Sequence, residues 1–192
     1  LYPGWRPYPA TVASTVTGTL LVSDPIEAPA LDRSVELLAW LPTGHAGRTD
    51  HRVLYMHDGQ NLFDEVTSNT GEWRVDETLS AMSTDVIVVG IPNAGERRDS
   101  EYCPWPGWCT SEARGAAYAG FVVESVIPFV NETLPVDPAR PATGVMGSSL
   151  GGLISLYLFL TYPERFGFVG SMSTAAAYIP EFWDLLERTP LP

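Results

Sequence analysis

Apolar runs alternating with helical spacings constrain this chain more than any other feature. The stretch Arg52 to His57 reads as a strand, Val75 to Met82 as a helix, and Asp85 to Ile91 as a continuous apolar run of the kind found in strands covered on both faces. Tyr118, Phe121, Val122, Ser125, Val126, Phe129, Val130 and Thr133 then follow a three-then-four spacing. That spacing places them on one face of a long helix, with a kink expected at Pro128. Pro141 to Met146 is a further strand, Leu150 to Tyr162 a helix apolar nearly all round, Gly167 to Met172 a last strand, and Trp183 to Arg188 a helical ending. Strand, helix, strand in this order requires right-handed crossovers, so the class is α/β, with a mainly parallel sheet and helices on both faces. Two earlier runs, Thr15 to Val22 and Val35 to Leu41, read as an antiparallel pair ahead of it. No repeat, low-complexity tract or linker interrupts the pattern, and one domain is expected. Residues 92–115 form a long irregular exception, a length at which loops usually serve function.

Charge and length narrow the functional classes. A chain of 192 residues buries roughly 70% of its unfolded surface and has no need of metals or disulfides to build a core. Its 23 acidic and 11 basic residues leave a net charge of -12, and every basic residue is arginine. Such a surface repels polyanions and has few cations with which to release counterions, which counts against nucleic acid and against anionic membranes. The longest apolar stretch, Leu150 to Tyr162, falls short of the ~20 residues of a membrane span. The first residues are aromatic and Pro-rich, lack an apolar signal core, and begin with Leu1, so processing or trimming at this end is an open expectation.

The segment Gly147-Ser-Ser-Leu-Gly-Gly152 carries the chemistry. Its core is Gly-x-Ser-x-Gly, set between a strand and a buried helix. A nucleophilic Ser149 at such a turn needs small residues two before and two after it, because the backbone folds back so tightly that a Cβ would clash; Gly147 and Gly151 supply them. The turn holds the Ser149 hydroxyl above the C-terminal edge of the sheet, and the Leu150 amide at the helix start faces a developing oxyanion. A glycine-rich helix cap is the bland alternative. Ser148 is the competing hydroxyl but does not lie midway between two glycines.

Ligands in open sheets meet the C-terminal strand ends, so the loop after the first of these strands, Tyr55-Met-His-Asp-Gly-Gln-Asn61, converges on the same edge. A second oxyanion donor is expected there, from the amide of Gln60 after the flexible Gly59, with Gly59 itself as the alternative. His57 sits at a strand end and is read as bracing this active-site loop, with Asp58, more than as a general base. His45, His51 and His57 lie six apart, which is no metal-ligand spacing, and no metal or cofactor is called for.

These residues resemble a family. Tyr55-Met-His-Asp-Gly-Gln-Asn-Leu-Phe-Asp64, Gly71-Glu-Trp-x-Val-Asp-Glu77, Val88-Val-Gly-Ile-Pro-Asn93 with Arg98-x-x-Glu-Tyr102, and Met146-Gly-Ser-Ser-Leu-Gly-Gly-Leu-Ile-Ser-Leu-Tyr157 followed by Tyr162-Pro-Glu-x-Phe166 are similar to the esterases of the α/β-hydrolase fold that include esterase D, enterochelin esterase and feruloyl esterase. The resemblance runs from about residue 52 to 183. It implies a serine hydrolase of carboxylic esters working through an acyl-enzyme, with Ser149 as nucleophile and the Gln60 and Leu150 amides as oxyanion hole.

One departure stands out. In the family an acid and then a His follow the nucleophile, yet none of the 43 residues after Ser149 is His. Asp184 and Glu187 lie on the helical ending and are not given the acid role. The expectation is therefore a chain lacking its C-terminal strands, with the triad acid and His outside it; completion by another chain and an inactive relative are the alternatives. Acyl transfer to an alcohol acceptor and a noncatalytic binding protein are the rival functions.

Other residues are weighed on the loop 92–115. Trp105 and Trp108 flank Pro106-Gly107 and are expected, with Arg98 and Tyr102, to face a small-molecule or carbohydrate-linked ester, whereas Trp73 reads as core at a helix start. Arg97 and Arg98 are expected to pair with Asp99 or Glu101. Cys103 and Cys109, six apart, suit a small disulfide, which favours a secreted or periplasmic location over a cytoplasmic one; two reduced thiols are the alternative.

Overall fold

A computed structural model of the chain describes residues 2–177 and 179–190. The elements run β1 (Trp5–Pro7), β2 (Thr19–Ser23), β3 (Ile26–Ala28), β4 (Arg33–Val35), β5 (Leu38–Leu41), β6 (Arg52–His57), α1 (Val75–Met82), β7 (Val86–Ile91), α2 (Arg98–Tyr102), α3 (Gly115–Phe121), α4 (Ile127–Thr133), β8 (Thr143–Ser148), α5 (Leu150–Thr161), β9 (Phe168–Met172) and α6 (Pro180–Arg188). Seven strands form one sheet in the order β1-β2-β5-β7-β6-β8-β9, and β3 pairs with β4 in a separate hairpin. The strands β7, β6, β8 and β9 are mutually parallel, while β1, β2 and β5 join antiparallel on the β7 side. The sheet is mixed, its β7-β6-β8-β9 half parallel, in an α/β-hydrolase arrangement.

The period of two along each strand divides the core between two faces. Leu21, Ala39, Val53, Tyr55, Val89 and Val145 pack on one face with α3, α4 and α5. Leu20, Trp40, Met56 and Val88 pack on the other, where Trp73, Val75 and Leu79 close over them from α1 and its approach. The helix α5 has Leu150, Leu153, Ile154 and Leu158 buried, and Gly152 lets it lie close on β9: a Cβ there would come within 2.8 Å of Ser171 Oγ.

Several elements differ from expectation. The strand expected over residues 15–22 is ordered only from Thr19, because Thr15 and Thr17 instead bond the carboxylates of Asp64, Glu72 and Asp76. The run Val35 to Leu41 divides into β4 and β5, Leu37 giving its N–H to Ser23 Oγ. Residues 92–115 are not wholly irregular, since they contain a 3-10 turn at Gly95–Arg97 and α2. The long helix breaks its regularity before Pro128: Val122–Val126 is a π-helical segment between α3 and α4. The wider π turn absorbs the bond that the proline nitrogen cannot make. Cys103 and Cys109 are joined by a disulfide that spans Cα atoms 6.5 Å apart.

Candidate active site

Ser149 occupies the turn between β8 and α5 with φ 57° and ψ -119°, a conformation L-residues rarely adopt, and it is exposed. Three hydrogen bonds hold it there: its N–H donates to Met172 O at 2.9 Å, and its carbonyl accepts from Leu153 N–H at 3.1 Å and Ala175 N–H at 3.2 Å. The flanking glycines act differently from one another. A Cβ on Gly147 would lie 2.5 Å from the Gly151 backbone, so that position admits no side chain. A Cβ on Gly151 would meet Asp58 Oδ2 at 3.3 Å and His57 Cβ at 3.5 Å, so this glycine lets the loop after β6 close onto the elbow.

That loop is fixed by charge. Asp58, itself in the left-handed region at φ 57°, is buried and takes a two-pronged ion pair from Arg98: Nε to Oδ1 at 2.6 Å and Nη2 to Oδ2 at 2.8 Å. Asn93 Nδ2 also donates to Asp58 Oδ1 at 2.6 Å, and Asn93 N–H donates to Gln60 Oε1 at 3.1 Å. The Asp58 hydrogen bond is the main cause that raises the Arg98 pKa. Of the partners expected for Arg98, Asp99 does form an ion pair with it, at a longer 3.7 Å, whereas Glu101 is buried against Arg33 instead. Arg97 donates to Leu31 O.

His57 lies beneath this loop, fully buried, with Nδ1 2.8 Å from the Tyr118 hydroxyl. The rings of His57, Tyr102 and Tyr118 stack pairwise at 5.2–5.5 Å between centroids. Burial lowers the His57 pKa to about 4, Asp58 opposing and Arg98 reinforcing the fall. Burial likewise pushes the Tyr102 and Tyr118 hydroxyls up, so all three rings are neutral near pH 7. His51 is buried at the opposite end of β6, near Asp85 and Pro135, far along the strand from the Ser149 edge.

A linkage prediction follows for His57. The unfolded chain binds a proton at the ordinary value of 6.5, the folded chain only near 4, so the unfolded state holds more protons between these values and stability decreases as the pH is lowered through them. Relative to pH 8, the loss at pH 5 is about 2 kcal/mol. Urea unfolding of the wild type and of His57→Gln, which cannot titrate, should show this difference between them; equal pH slopes would remove the buried neutral imidazole from the account.

A cavity of ≈ 440 Å³ opens beside the elbow, lined by Ser148, Ser149, Asp58, Arg98, Asn93 and Trp73 among others. Trp73, expected as core, does both: it packs with the second core cluster and lines the cavity. Gln60 and Leu150 do not line it, and the Gln60 side chain borders a neighbouring groove with Tyr8 and Pro92. Their amides lie instead in the first turns of the 3-10 helix Gly59–Asn61 and of α5, where N–H groups have no acceptor within their own helix. The expected substrate loop is only partly at the cavity. Arg98 lines it, while Tyr102 is buried and accepts the Asp58 N–H at 3.1 Å. Trp105 packs edge-on against Tyr157, and Trp108 is exposed away from the cavity lining. The disulfide between Cys103 and Cys109 closes this loop back on itself.

The sequence model of the family described as Putative esterase matches residues 28–190. The chain belongs to this esterase family. Among relatives of this family member, the Bacillus subtilis protein YbbA is 31% identical over 66% of the chain and 50% of its own length. The siderophore triacetylfusarinine C esterase of Aspergillus fumigatus is 32% identical over 62% of the chain and 42% of its own length. Among solved structures, the IroE-like serine hydrolase of Shewanella oneidensis superposes with a TM-score of 0.69 at 20% identity, covering 85% of this chain and 54% of that one, a likeness of fold. The chain spans about half the length of the curated relatives it matches.

Proposed function

We propose that the protein is a serine hydrolase of small-molecule carboxylic esters that works through an acyl-enzyme. The observation that carries this is Ser149: an exposed hydroxyl, held in a strained conformation at a strand-to-helix turn, at the edge of a cavity walled by Asp58, Arg98 and Trp73. Strain of this kind persists only where surrounding structure enforces it, and here it lifts the hydroxyl clear of the packed helix.

In the proposed reaction Ser149 Oγ attacks the ester carbonyl and gives up its proton to a base. The charge that forms on the carbonyl oxygen is met by the amides of Gln60 and Leu150, each a first-turn donor not used by its own helix. The Ser149 amide is unsuited to that role because it already donates to Met172 O. The Asp58–Arg98 pair and Asn93 set the loop that carries Gln60, so they position the oxyanion donor without touching the reacting atoms. None of His45, His51 and His57 is the base: His57 is buried on Tyr118, and His45 and His51 bond backbone carbonyls at the other end of β6. The proposal assigns the base to a His outside these 192 residues, following the family order of Ser, acid, His. The Aspergillus relative is named for a siderophore ester, and the class taken over from it is that of a small-molecule ester.

The test is covalent. A fluorophosphonate probe incubated with the full-length protein should label one serine, and peptide mass spectrometry should place the adduct on Ser149. Label on another serine, or none beside an active control hydrolase, overturns the proposal.

A further inference from the structure

Three carboxylates converge at the start of α1. Glu72, Asp76 and Glu77 each offer a carboxylate oxygen, and these oxygens lie within 4.8 Å of one another. Each residue has one oxygen already engaged: Glu72 Oε2 accepts from Thr15 Oγ1 at 2.8 Å, Asp76 Oδ2 from Thr17 N–H at 2.6 Å, and Glu77 Oε1 from Arg74 Nε at 3.4 Å.

Acidic clusters are ordinary in a protein of this charge, and a second observation separates this one from them. Asp76 is fully buried, and its other oxygen, Oδ1, is inaccessible and has no hydrogen-bond partner among the described residues. The remaining oxygens of its two neighbours, Glu72 Oε1 and Glu77 Oε2, are in the same state. Three carboxylates within reach of one another, each with a buried oxygen that accepts no N–H or O–H from the described residues, are costly to hold as anions without a proton or a cation among them. Among the described residues the cation paired with this cluster is Arg74, which is mostly exposed and contacts Glu77 at 3.4 Å.

We propose that Glu72, Asp76 and Glu77 form a binding site for a calcium ion that ties the N-terminal arm to the start of α1. A donor set of oxygens alone selects a hard cation, and oxygens already shut off from water favour calcium over magnesium, which keeps several of its waters and dehydrates reluctantly. The walls are held from several directions. Thr17 O accepts the Trp40 indole N–H, Glu72 N–H donates to Glu65 Oε2, and Trp73 N–H donates to Asn61 O. The ion therefore fixes Glu72 next to Trp73, a wall of the cavity, and its binding does not depend on whether Ser149 is a nucleophile.

The test uses the full-length protein stripped with EGTA at pH 8, with calcium chloride and magnesium chloride as probes. Calorimetry should register calcium binding, and calcium at about a hundredfold excess over Kd should raise the melting temperature by about 5 °C or more. Magnesium should give less than half of that shift. Glu77→Gln, at a partly exposed position, should weaken calcium binding at least tenfold, and Glu72→Gln with Glu77→Gln should abolish it. Asp76→Asn should melt higher than wild type in EGTA and no longer respond to calcium. Absence of calcium binding at millimolar concentration, as expected if a shared proton alone satisfies the three groups, overturns the site. Binding undiminished in the double variant overturns it equally.

Discussion

Replacing Ser149 by Ala in the full-length protein is expected to lower ester turnover by about 10⁵-fold or more, the scale on which serine hydrolases respond to loss of the nucleophile. The effect is large because no neighbouring hydroxyl is built to substitute. Ser148 belongs to β8, where its register opposite Met172 fixes it in the sheet. Ser155 is buried and donates to Gly151 O, and Ser171 Oγ is engaged with Gly152 O and Thr174. Stability should respond differently. Alanine keeps the Cβ and with it the strain at φ 57°, so unfolding free energy should change by less than about 0.5 kcal/mol. Ser149→Gly relieves the strain and should stabilise by about 1 kcal/mol while being equally inactive. Turnover of a p-nitrophenyl ester and urea unfolding on the same three proteins check both halves. Turnover of Ser149→Ala within tenfold of wild type would remove Ser149 from the mechanism.

How much of this was legible in the sequence differs by element, and the reasons are physical. Residues whose order is set by local burial were readable: β6 spans Arg52–His57 and α1 Val75–Met82 as their periodicity implies, and β7 begins one residue inside the apolar run. Residues ordered by distant partners were not. The strand β1 is three residues ending in proline and exists because Trp5, Arg6 and Pro7 pair with β2. The β3–β4 hairpin is likewise too short to show a period. In the candidate site, Ser149 was legible because its constraint is local, the Gly147 contact lying within five residues. The Asp58–Arg98 pair was not, since its members lie 40 apart and the charge neighbours in sequence, Asp99 and Glu101, offered nearer partners. Only the fold shows that Arg33, 68 residues from Glu101, has already taken that carboxylate. The cluster at Glu72, Asp76 and Glu77 escaped notice for a related reason, as acids in a first helical turn are favourable anyway and burial by the Thr15–Thr17 segment is not visible in sequence.

Gly59→Ala is expected to lower turnover by about 10²- to 10³-fold, the cost of displacing one oxyanion donor. The reason lies in the approach of the loop to the neighbouring strand. A Cβ at Gly59 would stand 2.7 Å from Gly90 C, 2.8 Å from Ile91 N and 2.9 Å from Ile91 C, all backbone atoms of β7. That strand is held in parallel register with β6, Met56 opposite Gly90 and His57 opposite Ile91, so it cannot retreat without breaking the ladder. The loop must move instead, and the next residue in it is Gln60. Its side chain is tied to Asn93 N–H and its carbonyl to Thr67 Oγ1, so displacement strains those bonds and redirects the amide. Overpacking of this kind also costs about 1–3 kcal/mol in stability. Gly120→Ala serves as the control, because that glycine lies in α3 with nothing within 4 Å of the new methyl and should gain up to about 1 kcal/mol with unchanged turnover. Fluorophosphonate labelling of Ser149 should slow in Gly59→Ala by a factor similar to that in turnover, since the probe's tetrahedral adduct uses the same donors. Turnover lost while labelling stays at the wild-type rate would separate Gly59 from the oxyanion hole and leave it a role in packing alone.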